Sequence, residues 1–251
     1  MSTEFSFNNY LDQLEKSTHA PGRLVMFDLD RTLIAGYSFH AFVFERARQG
    51  LVTTRGLAAH LRQFVEYGLQ RIEFKQLLEQ VAADLQGLES AVVMDFAQEV
   101  FQKHLQASLY REARQLVEAH RRLGHRLVMV TSATRFQAQP VADFLGFDDV
   151  CCTELGARGG RLTGRLRGKP CFGEGKANAG RRVARRTGQS LHDAWFYSDS
   201  ADDLALLDAV GHPVAVNAQP QLAVLAYDRS WPTLTFQSRR ALNVEGAIRS
   251  G

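Results

Sequence analysis

Long apolar runs are missing from this chain. Of its 251 residues 45% are hydrophobic, yet no stretch approaches the roughly eighteen apolar residues of a bilayer-spanning helix, so a soluble globular protein with no integral membrane association is expected. Cysteine is scarce as well. The three present, two of them adjacent at Cys151 and Cys152, cannot build a disulfide framework, and no Cys/His spacing resembles a zinc site. The opening residues MSTEFSFNNYLDQLEKS carry acids and amides where a secretory signal has a basic end and an apolar centre, which makes the cytoplasm the expected location. Two phosphate-binding loops are also lacking. GRLRGK, from Gly164 to Lys169, is one residue short of a P-loop and is followed by Pro170 instead of Ser or Thr; no GxGxxG follows a strand, so no dinucleotide site is indicated.

Acidic residues nearly vanish from one segment. Between Arg158 and Arg186 ten basic residues face the single acid Glu174, although the net charge of the chain is only +3, and the remainder is therefore net acidic. Such a patch attracts anionic substrates, lipid surfaces or nucleic acid. Only Phe172 interleaves with the bases, so the segment reads as the solvated face of a loop and a helix, and nucleic acid is not an expected partner.

The chemistry is concentrated in MFDLDRTLIA, Met26 to Ala35. Asp28 and Asp30 follow the apolar run from Leu24 to Phe27, and residues i and i+2 of an extended chain point to one side. Two like charges in so small a volume raise each other's pKa unless a cation lies between them, which makes the pair a metal site or a shared-proton site. A strand ending in a solvated turn is the plainer alternative.

The rest of the chain decides between them. Tyr10, Leu11 and Leu14 give a short helix before the first strand. From Ser38 to about Leu109 four apolar stripes follow at helical spacing: Phe39/Phe42/Val43, Leu57/Leu61/Phe64/Val65, Phe74/Leu77/Leu78/Val81, and Val92/Val93/Phe96/Val100/Phe101. After Tyr110 strands and helices alternate. The strands are Arg126 to Val130, Val150 to Thr153, Ala194 to Tyr197, Val214 to Val216 and Thr233 to Phe236; the helices are Arg111 to Leu123, Phe136 to Leu145, a basic one near Lys176 to Thr187, and one starting at Asp202; a hairpin covers Gly156 to Gly168. This is the pattern of an α/β doubly wound parallel sheet, with residues 1–36 and 110–251 as core and 37–109 as an inserted helical domain. Ligands of such sheets lie outside the carboxyl ends of the strands. Asp28/Asp30, Thr131/Ser132 and Asp199/Asp202/Asp203 each follow a strand and are expected to share that rim. Three or more converging carboxylates without His or Cys make a hard-oxygen site suited to Mg²⁺, and Lys176 at a helix start adds a positive charge for an anion. Carboxylate nucleophile, divalent cation, lysine and hydroxyl are together what phosphoryl transfer through an aspartyl-phosphate requires.

In this the chain resembles the phosphatases of the haloacid dehalogenase superfamily, in the phosphoserine-phosphatase-like branch. The four motifs of that superfamily are matched in order: FDLDRT at Phe27 to Thr32, MVTS at Met129 to Ser132, the lysine of GEGK at Lys176, and SDSADDL at Ser198 to Leu204. The resemblance implies a Rossmann-like core with an inserted cap, and a Mg²⁺-dependent phosphomonoesterase. It implies Asp28 as nucleophile, Asp30 as general acid and base with its carbonyl on Mg²⁺, Thr131 on the phosphoryl oxygens with Ser132 as the alternative, and Lys176 as the neutralising cation. Asp199 would complete the metal set, with Asp203 in support and Asp202 where the branch usually has Asn. Two departures bear on substrate. Arg31 stands where the family more often has a small residue, and Tyr37 stands where phosphoserine phosphatases place a Glu for the substrate amine. AGYSFH, CFGEGK and Trp231-Pro232 look more like the bacterial subgroup that includes histidinol-phosphate phosphatases and phosphatase domains joined to acylglycerol-phosphate acyltransferases. A small phosphorylated metabolite of the histidinol phosphate kind is therefore expected over phosphoserine, with Tyr37, His40 and Arg31 as candidate substrate contacts. Transfer to an alcohol acceptor, or a non-catalytic module that docks on an anionic surface, are the alternatives. A dehalogenase is disfavoured by Asp30 and the acidic motif at Asp199.

Overall fold

The computed structural model describes residues 6–16, 21–50 and 74–237. The chain opens with helix α1 (Phe7–Lys16), which buries Tyr10 and Leu14, and strand β1 (Leu24–Phe27), buried along its whole length. Helices α2 (Ser38–Arg48), α3 (Phe74–Asp84) and α4 (Ser90–Val100) follow before the next strand, α4 running on through a widened π turn at Phe101–Leu105. Three of the four expected helical stripes are accounted for here; the stripe from Leu57 to Val65 lies outside the described residues.

Alternation then sets in: α5 (Arg111–Arg122), β2 (Arg126–Thr134), α6 (Arg135–Leu145), β3 (Asp149–Thr153), the β4–β5 hairpin (Leu155–Arg158, Arg161–Leu166) and α7 (Glu174–Thr187). The order closes with β6 (Trp195–Ser198), a 3-10 turn at Ala201–Asp203 leading into α8 (Leu204–Leu207), β7 (His212–Val216), α9 (Pro220–Asp228) and β8 (Thr233–Leu234). Helix α9 was not expected. PQLAVLAYD is apolar almost throughout and shows no clear helical period. Strand β8 is shorter than the expected Thr233 to Phe236, and Asp202 lies in the 3-10 turn before α8.

Six strands form one parallel sheet in the order β3-β2-β1-β6-β7-β8. Alternate residues of each central strand enter opposite cores. Val25, Phe27, Leu127, Met129, Trp195 and Tyr197 meet α1, α5 and α6 on one face, and Leu24, Met26, Val128, Val130 and Phe196 meet α7, α8 and α9 on the other. Because the chain first builds outward from β1 to β3 and then returns to β6 on the other side, the order reverses at β1. A crevice opens there at the carboxyl ends of the strands.

The helical insertion leaves and rejoins the core through paired segments. Ala35 N–H donates to Ser108 O (2.8 Å) and Tyr110 N–H to Leu33 O (3.0 Å). The β4–β5 hairpin reaches from the core to the insertion, with Gly87 N–H on Leu162 O and Leu162 N–H on Leu88 O, both 2.9 Å, and shares a small apolar cluster with Ala82, Val93 and Ala97. Among the described residues no helix is long and apolar enough to cross a membrane.

Candidate active site

The site grows out of the end of β1. Beyond Phe27 the ladder to β6 continues for one more bond, Asp28 N–H to Tyr197 O at 3.0 Å, so the Asp28 carboxylate emerges in the crevice between β2 and β6. Lys176 reaches it from the first turn of α7. Its Nζ donates to Asp28 Oδ1 at 2.7 Å and to Asp203 Oδ2 at 2.8 Å, and Asp203 Oδ2 also accepts from Ser198 Oγ at 2.6 Å. The approach of the loop before α7 needs glycine at position 175, where a Cβ would fall on the Pro170 carbonyl. Asp30 is held differently: its Oδ1 accepts from the backbone N–H of Ser38, at the start of α2, at 2.7 Å.

Burial sets the electrostatics. The side chains of Asp28 and Lys176 are only 9% and 3% exposed. Burial pushes the Asp28 carboxyl up against the pull of Lys176, while Lys176, which burial alone would discharge, is held above its ordinary range by Asp203 and Asp28. Burial also raises Asp30, to about 6, against the pull of the Ser38 N–H. A carboxyl in that range can donate a proton near neutrality and take one back. Asp199 and Asp202 are raised by burial too.

The carboxylates of Asp28, Asp30, Asp199, Asp202 and Asp203 converge on one cavity, as expected, without drawing into a tight cluster. Among the described residues no group of three Asp, Glu, His or Cys side chains is close enough to hold a metal ion. The donors are fewer and still suited to one. Asp28 has one oxygen on Lys176, Asp199 has one on Arg31 and Gln219, and the second oxygen of each accepts no hydrogen bond among the described residues. Two carboxylate oxygens left open to the cavity that Asp28, Asp30 and Asp199 line together fit a hard cation that completes its shell with water, as Mg²⁺ does. When bound, such an ion would neutralise the charge of a phosphoryl group at this rim.

A cavity of about 200 Å³ opens here, bounded by Asp28, Asp30, Lys176, Asp199, Asp202 and Asp203 on the core side. Its opposite wall is apolar, with Phe39, Phe74, Leu77, Leu78 and Val81, and Phe172 stacks on Phe74 at 4.5 Å. Ser132 and Tyr37 line it, whereas Thr131 does not. Strand β2 runs on to Thr134 with its register to β3 shifted between Val130 and Thr134, Ala133 and Thr134 also line the cavity, and the buried Thr131 hydroxyl accepts from Ala133 N–H. His40 is exposed, packs edge-on against Tyr37 and does not line the cavity. Arg31 is not among the lining residues but sits against two that are, with Nε donating to Asp199 Oδ2 at 2.8 Å and its guanidinium over the Tyr37 ring at 6.0 Å. The basic segment divides likewise. Lys176 is buried in the site, Arg161, Arg181 and Arg186 pair with Glu89, Glu174 and Asp149, and nine of its ten bases are exposed.

Three polar residues of the site went unread in the sequence. Gln219 lines the cavity and donates from Nε2 to Asp199 Oδ2 (2.9 Å); Asn217 Nδ2 donates to Arg31 O (3.3 Å); Gln137 Oε1 accepts from the N–H and hydroxyl of Thr134, closing a capping box at α6, while its Nε2 donates to Ser38 Oγ (3.0 Å). For Asn217 and Gln219 a signal existed, since VNAQP follows a strand that ends on the same rim.

Known proteins agree with this architecture. The haloacid dehalogenase-like hydrolase family matches residues 25–208. A protein named histidinol-phosphatase from Neisseria meningitidis serogroup C is 30% identical over 219 residues, 85% of this chain and 99% of its own. A Mycobacterium tuberculosis protein named phosphoserine phosphatase SerB1 is 28% identical over 218 residues, 85% of this chain and 71% of its own. The crystal structure of a protein of unknown function from Bordetella pertussis Tohama I superposes with a TM-score of 0.78 at 29% identity, covering 86% of this chain and 99% of that one. With the family match running from β1 to α8 and the charged residues gathered on the rim that the family motifs mark, the chain belongs to the haloacid dehalogenase-like hydrolase family.

Proposed function

We propose that this protein is a Mg²⁺-dependent phosphomonoesterase that hydrolyses a small phosphorylated metabolite in the cytoplasm, with residues 1–36 and 110–251 as catalytic core and 37–109 as a cap. The observation that carries the reading is the buried Lys176 ammonium bridging Asp28 and Asp203 beside Asp30 and Asp199. Asp28 attacks phosphorus, the bond to the leaving oxygen breaks, and Asp30 gives that oxygen its proton. Water then attacks phospho-Asp28 while Asp30 takes the water's proton, and phosphate leaves with Asp28 restored. Lys176 offsets the charge of the nucleophile and the phosphoryl group, and Asp203 and Ser198 hold Lys176 in place. Asp28, the main-chain carbonyl of Asp30 and Asp199 would hold the cation. Ser132, which lines the cavity, takes the role of phosphoryl-binding hydroxyl in place of Thr131.

A substrate of the histidinol phosphate kind is favoured over phosphoserine. Tyr37 lines the cavity where a carboxylate would serve the amine of phosphoserine, and the relative named histidinol-phosphatase is matched over 99% of its length. The test is phosphate release with Mg²⁺ from an aryl phosphate and from a panel of phosphorylated metabolites including both compounds. The wild-type chain is expected to release phosphate and the Asp28→Asn variant to release none; full activity in that variant ends the assignment of the nucleophile.

A further inference from the structure

Three loops of the rim are tied together through Arg31. This residue has φ +61°, a left-handed conformation that a side chain bearing a Cβ adopts at a cost. The conformation is fixed from both sides, by Arg31 N–H on Gly36 O (3.0 Å) and by Asn217 Nδ2 on Arg31 O (3.3 Å). Asn217 is itself left-handed, at φ +46°, and is anchored by Phe236 N–H on its Oδ1 (2.8 Å) and by its own N–H on Leu234 O (2.9 Å). The consequence is where the guanidinium goes: Nε donates to Asp199 Oδ2 at 2.8 Å, the oxygen that also accepts from Gln219 Nε2 at 2.9 Å. Gln219 N–H in turn donates to Asp199 O at 2.8 Å, so the loop after β6 is gripped at both main chain and side chain. One oxygen of Asp199 is doubly occupied by this chain's own donors, and Oδ1 alone is left.

We propose that Arg31, seconded by Gln219, is a positioning residue that makes Asp199 a one-oxygen ligand and thereby selects Mg²⁺ over Ca²⁺ at this rim. The proposal rests on the cation reading given under Proposed function. Mg²⁺ demands near-ideal octahedral geometry with short bonds, which single carboxylate oxygens satisfy. Ca²⁺ accepts seven or eight ligands and gains from carboxylates that bind through both oxygens. Holding Oδ2 out of reach therefore penalises the larger ion, and it fixes the direction from which Oδ1 meets the smaller one.

The test is direct binding of each cation to the full chain, measured by titration calorimetry without substrate. Arg31→Gly is the sharpest variant because glycine suits φ +61°, so the backbone carries no strain while the guanidinium is gone, and Gln219 still donates to Asp199; unfolding by denaturant checks that the variant is folded. Mg²⁺ affinity is expected to weaken and Ca²⁺ affinity to hold or rise, so that the preference for Mg²⁺ shrinks several-fold in Arg31→Gly and about tenfold when Gln219→Ala is added. Arg31→Lys, which keeps the charge without the donor at Nε, should follow Arg31→Gly; wild-type selectivity in Arg31→Lys would mean that charge alone matters and would overturn the proposal. Parallel weakening of both ions, or an unchanged ratio in every variant of a chain that binds Mg²⁺, overturns it as well. A wild-type chain that binds neither ion removes the cation reading itself, a result distinct from these.

Discussion

At the rim of the sheet Asp28, Lys176 and Asp203 are buried charges joined by short hydrogen bonds between strand and helix ends, whereas the wall facing them, Phe39, Phe74, Leu77, Leu78 and Val81, is apolar. The first region draws on groups far apart in sequence and tolerates little change, because removing one partner leaves another charge buried and unpaired. The second is a packed surface whose shape can be altered one side chain at a time. The same division runs through the electrostatics of the insertion. Its own buried acid, Glu45 on α2, is paired with Arg48, Gln49 and, across to the π turn after α4, with Lys103 (3.1 Å) and His104 (2.9 Å), away from the reaction cavity. One set of buried charges lines the cavity, and the other ties α2 to the π turn after α4.

The comparison can be broken most severely at Asp28, the proposed nucleophile. Asp28→Asn keeps the shape of the side chain and removes the attacking oxyanion, so turnover of an aryl phosphate should fall by about 10³-fold or more, read from steady-state phosphate release. Next comes Lys176→Met. The ammonium is lost and Asp28 and Asp203 stay buried without it, so denaturant unfolding should show a loss of about 3–5 kcal/mol together with loss of activity. On the wall, Phe172→Ala removes the ring stacked on Phe74 and should cost about 1–2 kcal/mol. It should raise KM several-fold with little change in kcat; an equal fall in kcat would place Phe172 with the chemistry rather than the wall.

The smallest effect is expected at Glu45, and it depends on pH. Arg48 first, then His104, hold this carboxyl well below its ordinary value of 4.5. A depressed folded-state pKa gives stability that is present above the ordinary value and is lost as pH falls below it. The melting temperature of Glu45→Gln should therefore lie below that of the wild type at neutral pH, and the gap should close as the pH is lowered beneath about 4.5. A gap that stays constant with pH would mean that Glu45 acts through packing alone.

Much of this was legible along the chain. Asp28 and Asp30 could be read because their spacing and the apolar run before them are local, and strand periodicity alone puts them at a sheet end. Asp199 and Asp203 could be placed with them because parallel sheets gather their strand ends on one rim, and Lys176 because it opens a helix whose N-terminus favours anions and matches the family's lysine motif. Other parts resisted for specific reasons. Helix α9 has too little polar residue in it to mark a face. The second half of β2, TSAT, carries no apolar signal and is held as strand partly by its neighbour, through Thr134 paired with Thr153 on β3. Gln137 and Gln219 look like ordinary polar residues until Ser38 and Asp199 are brought beside them.

The sequence by itself determined which acids, which lysine and which alternation of helix and strand this protein has, since those follow from spacing over a few residues. Only the tertiary structure decided that Ser132 rather than Thr131 lines the cavity, and that Arg31 reaches Asp199. The side of a strand that meets a cavity, and the direction of a left-handed residue, are set by the neighbours that pack and hydrogen-bond around them, and those neighbours come from distant parts of the chain.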